Sequence, residues 1–437
     1  MRNKYIMLIL GTIVIALSGC GNSKTDINNQ EIAGKLENND QMLEITESNE
    51  LASETIESDK SIQKGESSQD LEENSEEDSG ETKESIDESK KENDSAEIIM
   101  VGDILLHTPV EEAAVQEDGS INFDVIFSKT KDYISEADVA IVNQEVMIGG
   151  EELGVSGYPA FNAPYEIADA LADAGFDIVC HATNHAIDKG LKGILNCIDN
   201  WEAKYPEIMV AGIYNNETES EKIKVKEVNG IKIAILNYTY GTNGIQIPSD
   251  MPYCLDMLDE DAVIKDLDKA EEEADFTIVC PHWGIEYNLT PSDEQRKWCE
   301  IFMEHGADLV LGTHPHVIQP IEMHENEDDE MLVYYSLGNF VNWTSDSGEG
   351  IANRMIGGMA DVWIERDENG EVHISDYGIR PVISHVTSGI NGVTVYALDD
   401  YSEQLAGQNE IVKQDTTFSY EYIKELVNDV WNGVTIE

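Results

Sequence analysis

The sequence predicts an α/β domain whose sheets are covered by helices, set behind a sorting signal and a disordered acidic stalk. Three observations carry that reading. From Ala96 onward, short apolar runs alternate with amphipathic stretches of helical spacing. Five of those apolar runs end at Asp, Glu, Asn or His. Residues 21–95 hold no aromatic side chain and set seven lysines against twenty-three acidic residues.

The chain begins with Arg2 and Lys4, then an almost wholly apolar run from Tyr5 to Leu17. That run is short for a membrane span and suits a signal-peptide core. It closes on Leu17-Ser18-Gly19-Cys20, small residues before a cysteine in the manner of a bacterial lipobox. Cys20 is therefore expected to be the lipidated first residue of an exported protein. That protein would be anchored at the cell membrane on its extracytoplasmic face rather than spanning it. The stretch 21–95 buries too little apolar surface to offset chain entropy, and its like charges extend it into a stalk. The net charge of −61 over 437 residues argues against a nucleic-acid partner, whose phosphates need a basic surface. Five further cysteines fit neither a zinc spacing nor a disulfide framework, and none is given a function.

Each element follows from its pattern. Ile98–Leu106 reads as a strand and Phe123–Ala137 as a helix, then Val139–Val142 as a strand. Tyr165–Ala174 is a helix closed by Gly175, and Ile178–Cys180 the next strand. Leu191–Lys204 is helical. Ile223–Tyr240 holds two alternating runs about Asn229-Gly230, a strong hairpin signal. Asp259–Ala274 and Ser292–His305 are helices preceding the apolar runs Phe276–Cys280 and Leu309–Leu311. Met331–Tyr335 and Gly358–Ile364 add strands with few helices between them. Residues 96–395 form the domain, and 396–437 a C-terminal extension with a helical end.

The strand ends carry the chemistry. Met100-Val101 leads to Asp103, with His107 four residues later; Ile141-Val142 leads to Asn143-Gln144-Glu145. Val179-Cys180 leads to His181 and Asn184-His185, Val279-Cys280 to His282 and Glu286, and the last run to His314-Pro315-His316. Ligands in α/β sheets sit outside the carboxyl ends of strands. In extended chain, residues i and i+2 face one side, so His314 and His316 would share a site, stiffened by Pro315. Imidazole, carboxylate and amide oxygen without thiolate favour one or two divalent ions, Mn, Zn or Fe, in an open site. A pair of ions can clamp a phosphoryl or carbonyl oxygen while a nearby histidine protonates the leaving group. By contrast, His305, His324, His373 and His385 lie away from strand ends, and Trp283 reads as pocket wall or core.

Gly102-Asp103, Asn143-Gln144-Glu145, Thr183-Asn184-His185-Ala186, His282-Trp283-Gly284-Ile285-Glu286, Gly312-Thr313-His314-Pro315-His316 and Tyr335-Ser336-Leu337-Gly338-Asn339-Phe340 occur in this order. Together they resemble the CapA family of capsule or poly-γ-glutamate synthesis proteins, within the calcineurin-like metallophosphoesterase superfamily. The resemblance covers about residues 98–341 and extends on toward Ser384. It implies a four-layer αββα sandwich and a dinuclear metal centre. Asp103 would bind one ion, Glu145 both, and Asn184 the second, with His282, His314 and His316 completing the set and His185 as proton donor or transition-state stabiliser. His107, Glu286 and Asn339 stand as further ligands or as partners of ligands. The first motif lacks the usual Asp-x-His, which leaves the metal count open between one and two. The implied function is a tethered metal-dependent hydrolase of phosphoester or amide type in poly-γ-glutamate or capsule synthesis or export, working with other capsule proteins. The alternatives are a non-catalytic metal- or polymer-binding subunit of a capsule-polymer complex, or a solute-binding lipoprotein.

Overall fold

The computed structural model describes residues 94–326, 330–344, 346–389 and 392–437. Cys20, the expected signal segment and the expected stalk up to residue 93 lie outside the described residues. The domain starts with β1 (Ser95–Ile104), one residue before the expected boundary. In the first sheet β1 lies parallel to β2 (Val139–Asn143), which is followed outward by β3 (Ile178–Cys180) and β4 (Met209–Ala211). The second sheet holds β5 (Lys224–Val228), β6 (Ile231–Thr239), β7 (Phe276–His282), β8 (Leu309–Leu311), β9 (Ile321–Glu325) and β10 (Glu330–Tyr334). In it β6, β7, β8 and β10 run parallel, with β5 and β9 antiparallel at its edges. The chain then returns to the first sheet through β11 (Asn339–Val341), β12 (Ile356–Arg366), β13 (Val372–Val386), β14 (Val393–Ala397) and β15 (Thr435–Ile436).

The layering follows from the period-two alternation of the second sheet. Ile231, Ile233, Ile235, Ile278, Leu309, Leu311 and Leu332 join the cluster that contains the first sheet. Ala234, Leu236, Val279, Val310 and Val333 turn the other way, onto the helices that precede β7 and β8. Both faces are thus apolar, as strands buried on two sides require.

The helices come in chain order: α1 (Thr108–Ala114), α2 (Asp124–Phe127), α3 (Lys131–Glu136), α4 (Glu166–Ala174), α5 (Gly190–Lys204), α6 (Glu217–Ser220), α7 (Glu260–Glu273), α8 (Asp293–Glu304), α9 (Glu403–Gln408) and α10 (Tyr420–Val430). α4 and α5 bury Ile167, Leu171, Ile194 and Trp201 in the cluster of the first sheet, and α7 and α8 bury Val263, Leu267, Trp298 and Phe302 against the second. The order is helix, sheet, sheet, helix. No helix among the described residues is long and apolar enough to cross a membrane.

One expectation needs correction here. Phe123–Ala137 is not one helix: Ser128-Lys129-Thr130 separates α2 from α3, and Thr130 is buried with its hydroxyl on the Phe127 carbonyl at 3.3 Å. A side chain satisfied locally in this way competes with helix continuation. The stretch 396–437, expected as an extension with a helical end, carries α10 and packs on the core. Phe418, Ile423, Val427 and Trp431 are buried with the first sheet, and β15 pairs parallel with β13. The hairpin at Asn229-Gly230 has φ of 50° and 83° at its two turn residues, the left-handed pair a two-residue loop needs.

Candidate metal centre

The carboxyl ends of β1, β2, β3, β7 and β8, drawn from both sheets, open onto one place. Asp103 is nearly the last residue of β1, and His282 ends β7. Glu145 follows β2, Asn184-His185 follow β3, and His314 and His316 follow β8. Asp103, Glu145, Asn184, His282, His314 and His316 are all buried. Two ligand groups form among them, Asp103–Glu145–His282 and Glu145–His314–His316, each with its donor atoms within 4.8 Å of one another. Glu145 belongs to both.

The local backbone explains how they converge. Gly102 lies against the chain at Gly338, where a Cβ would come within 2.0 Å of the Gly338 carbonyl oxygen. That contact lets β11 pair with β1 so that Asn339 stands opposite Asp103. His314 and His316 do not converge through extended chain. Both have left-handed backbone, with φ of 95° and 58°. Each such residue costs about 1–2 kcal/mol and persists only where its surroundings over-determine it. Here the His314 N–H donates to Asp103 Oδ2 at 3.3 Å, the Pro315 carbonyl accepts from Tyr287 N at 2.7 Å, and the His316 carbonyl accepts from Asn339 Nδ2 at 3.1 Å. A hydrogen bond to a charged group contributes about 1.5–3 kcal/mol, enough to hold the turn. Proline between the histidines stiffens a tight turn, not a strand.

Inside the site, His282 Nε2 is 2.9 Å from Asn184 Oδ1 and 3.8 Å from Glu145 Oε1, while its Nδ1 is 3.0 Å from Thr313 Oγ1. His316 Nδ1 is 3.0 Å from both Asp103 Oδ2 and Asn339 Oδ1, and its Nε2 is 3.6 Å from Glu145 Oε1. Asn143 Nδ2 donates to Asp103 Oδ1 at 2.8 Å. The donor set fits a divalent cation on one observation above the rest: both Glu145 carboxylate oxygens, fully buried, have no hydrogen-bond partner, and neither does His314 Nδ1. Ligands around one tetrahedral ion at about 2.1 Å stand about 3.4 Å apart, close to the 3.6 and 3.8 Å separations from Glu145 to His316 and His282. Burial pushes the Glu145 carboxyl well above its usual range; His316 pulls it back and Asp103 adds to the rise. Burial holds His282 and His314 well below the usual imidazole range, reinforced by neighbouring histidines. Neutral imidazoles beside an unsatisfied carboxylate are ligands in waiting.

His185 sits at the edge. Its Nδ1 is 2.7 Å from Asp188 Oδ2, which also accepts the Phe161 N–H at 2.8 Å. The Phe161 ring lies edge-on to it at 4.6 Å. Asn243 Nδ2 is 3.3 Å from His185 Nδ1, and Asn243 Oδ1 accepts from Asn184 Nδ2 at 3.3 Å. His107 lies at the rim as the residue preceding α1, edge-on to Phe161 at 5.1 Å, and burial followed by the His316 charge holds it down to about 4. Glu286 is exposed and outside both ligand groups, though its charge acts on Glu145 and His316. Asn339 Oδ1 lies 3.0 Å from His316 Nδ1.

Several residues here carry no assignment from the sequence. Asn143 lies inside one of the six motifs but had no role, and Asp188 could have been flagged by its i+3 spacing from His185. Asn243, Tyr240, Tyr287 and Arg354 carry no pattern of their own. The Tyr240 ring lies 4.5 Å from that of His314, and the Tyr287 ring 6.0 Å from that of His316. Away from the site, His305 pairs with Asp268 at 2.8 Å, Trp283 is core with its indole N–H on the Tyr335 carbonyl, and the five described cysteines are buried and free.

Residues 97–344 match the family described as bacterial capsule synthesis protein PGA_cap. The PGA biosynthesis protein CapA of Bacillus subtilis (strain 168) is 34% identical over 183 residues, 41% of this chain and 47% of that one. The capsule biosynthesis protein CapA of Bacillus anthracis is 30% identical over 268 residues, 58% of this chain and 62% of that one. The match thus spans about half to three fifths of these relatives' length. Among solved structures, the Haemophilus influenzae NAD nucleotidase (NadN) aligns with TM-score 0.42 and 10% identity, over 77% of this chain and 59% of that one. A 5'-nucleotidase precursor from Thermus thermophilus aligns with TM-score 0.38 and 12% identity, over 77% and 58%. On the family match, which takes in more than half of its residues, this chain belongs to the bacterial capsule synthesis protein family PGA_cap.

Proposed function

We propose that this chain is a metal-dependent hydrolase of amide or phosphoester type that serves poly-γ-glutamate or capsule synthesis or export. It acts on the extracytoplasmic face of the cell membrane, tethered through lipidated Cys20 and the acidic stretch 21–95, beside other capsule proteins. The observation that carries the chemical half is Glu145, a fully buried carboxylate with no hydrogen-bond partner, shared between two groups of neutral or carboxylate-facing histidines. The names of the two Bacillus relatives support the biological half.

Asp103, Glu145, Asn184, His282, His314 and His316 would hold one or two ions of Mn, Zn or Fe, which when bound polarise a phosphoryl or carbonyl oxygen. The remaining steps fall to the chain itself. Asp188 holds His185 through Nδ1, which leaves Nε2 to deliver a proton to the leaving oxygen or nitrogen. Phe161 fixes the imidazole from the side, and Asn243 links its position to Asn184. Asn143 and Asn339 orient Asp103 and His316 as partners of ligands do.

The test is turnover by the metal-loaded chain across phosphoesters and γ-glutamyl amides, with His185→Ala as control. The reading predicts cleavage in one class and its loss in the control, at unchanged metal content. A loaded wild type inert on both classes, with capsule assembly still dependent on the site, would move the assignment to a non-catalytic subunit.

A further inference from the structure

Arg354 is a cation built into the rim of an acidic site. It lies beyond the family-matched residues 97–344 and in none of the sequence motifs. It sits in the 3-10 turn Ile351–Met355, whose start is pinned by the Gly350 and Ala352 N–H groups donating to Asp415 Oδ2 at 3.1 and 3.2 Å. Its carbonyl accepts from Asn339 Nδ2 at 3.0 Å, the same Asn339 that contacts His316 Nδ1. On its other side, the guanidinium carbon lies 3.6 Å from the centre of the Tyr287 ring. Tyr287 has left-handed backbone with φ of 63° and donates its N–H to the Pro315 carbonyl. Arg354 is therefore tied to His316 by two separate routes, one through Asn339 and one through Tyr287 and Pro315.

What the guanidinium does there follows from its partners. Its side chain is 16% exposed and pairs through Nη1 with Asp346 at 3.0 Å, while Asp346 itself is 60% exposed. A pair with so exposed a carboxylate contributes little, and that carboxylate can swing into water. A guanidinium stacked on an aromatic face keeps its planar N–H edge for bidentate bonding to carboxylate or phosphate. The site it borders holds Asp103, Glu145, Asp188 and Glu286, so beside the divalent ions a substrate anion meets acidic neighbours that a fixed guanidinium offsets.

We propose that Arg354, stacked on Tyr287, binds an anionic group of the substrate, a carboxylate or phosphate oxyanion, beside the ligand cluster. This rests on the reading of that cluster as the place where substrate is held, and it deepens that reading by naming the charge of the substrate.

Calorimetric titration of the metal-loaded full chain with inorganic phosphate and with γ-glutamyl-glutamate tests it. Arg354→Gln should weaken the probe that fits by about 10–100-fold, Arg354→Lys should recover part of the loss, and metal content should not change. Asp346→Asn removes the internal competitor and should tighten binding several-fold, which a clamp of merely structural value would not do. A kinetic arm compares a phosphomonoester with its methyl diester, and a γ-glutamyl anilide with its α-methyl ester. Arg354→Gln should raise KM more for the more charged member of a pair than for the other; the pair that responds identifies phosphate or carboxylate as the source. If neither pair turns over, the hydrolase reading fails while the titration still decides the role of Arg354. Unchanged affinity in Arg354→Gln, equal losses on both members of a pair, or binding in Asp346→Asn no tighter than wild type would overturn the proposal.

Discussion

His181 and His316 are both buried, yet their surroundings drive them in opposite directions. His181 accepts the Trp201 indole N–H on Nε2 at 3.0 Å and lies beside Cys197, and burial holds it down to about 3. Burial pulls on His316 as well, but the Glu145 and Asp103 carboxylates outweigh it and raise it to about 9. Burial alone thus yields a neutral packing imidazole. Carboxylates aimed at an imidazole yield a place for positive charge, which a proton or a divalent ion can fill.

Changes on the His316 side should cost metal, and changes on the His181 side should cost only stability. The largest effect is expected from His314→Ala combined with His316→Ala. Loss of a partner of a ligand typically costs about 10–100-fold in metal affinity, so losing two ligands should exceed about 100-fold, read by elemental analysis after dialysis, with the circular dichroism spectrum preserved. Next comes His185→Ala, which should lower turnover by about 10²–10⁴-fold at unchanged metal content. Asn339→Ala should weaken metal binding by about 10–100-fold through misorientation of His316, measured by competition with a chelator. The smallest effect belongs to Trp201→Phe, which leaves buried His181 Nε2 without its donor and should cost about 1–3 kcal/mol in denaturant unfolding, with metal content untouched. His181 also gives a pH signature. Its folded value lies below the ordinary 6.5, so its contribution to stability is present above that pH and is lost as pH falls from 6.5 toward 3. Unfolding midpoints across that window should fall less steeply in His181→Gln than in wild type.

How much of this could be read beforehand differs between strands and turns. The parallel strands announced themselves as apolar runs; β8 ends where Leu309–Leu311 stops being apolar, and β7 runs two residues past Val279-Cys280 to His282. Local composition also marked the Asn229-Gly230 turn. The six ligand candidates were legible because each lies at or just past the carboxyl end of such a run. The route by which they meet was not, because the left-handed backbone at His314 and His316 depends on a hydrogen bond donated to Asp103 and one received from Asn339. Those partners lie 211 and 23 residues away in sequence, beyond any local pattern. Arg354 was illegible for the same reason: its place is set by Asn339, Asp415 and Tyr287. The packing of 396–437 against the first sheet rests on β13 and on Trp431 donating to the Gln319 carbonyl, contacts that helical spacing in Tyr420–Val430 does not reveal.

The central claim is that Glu145 is a buried carboxylate waiting for a divalent cation. Elemental analysis of the purified full chain, wild type against Glu145→Gln, tests it most directly. One or two Mn, Zn or Fe ions per wild-type chain, and close to none in Glu145→Gln, are expected. A wild type that takes up no divalent metal, or a Glu145→Gln chain with the wild-type stoichiometry, would contradict it.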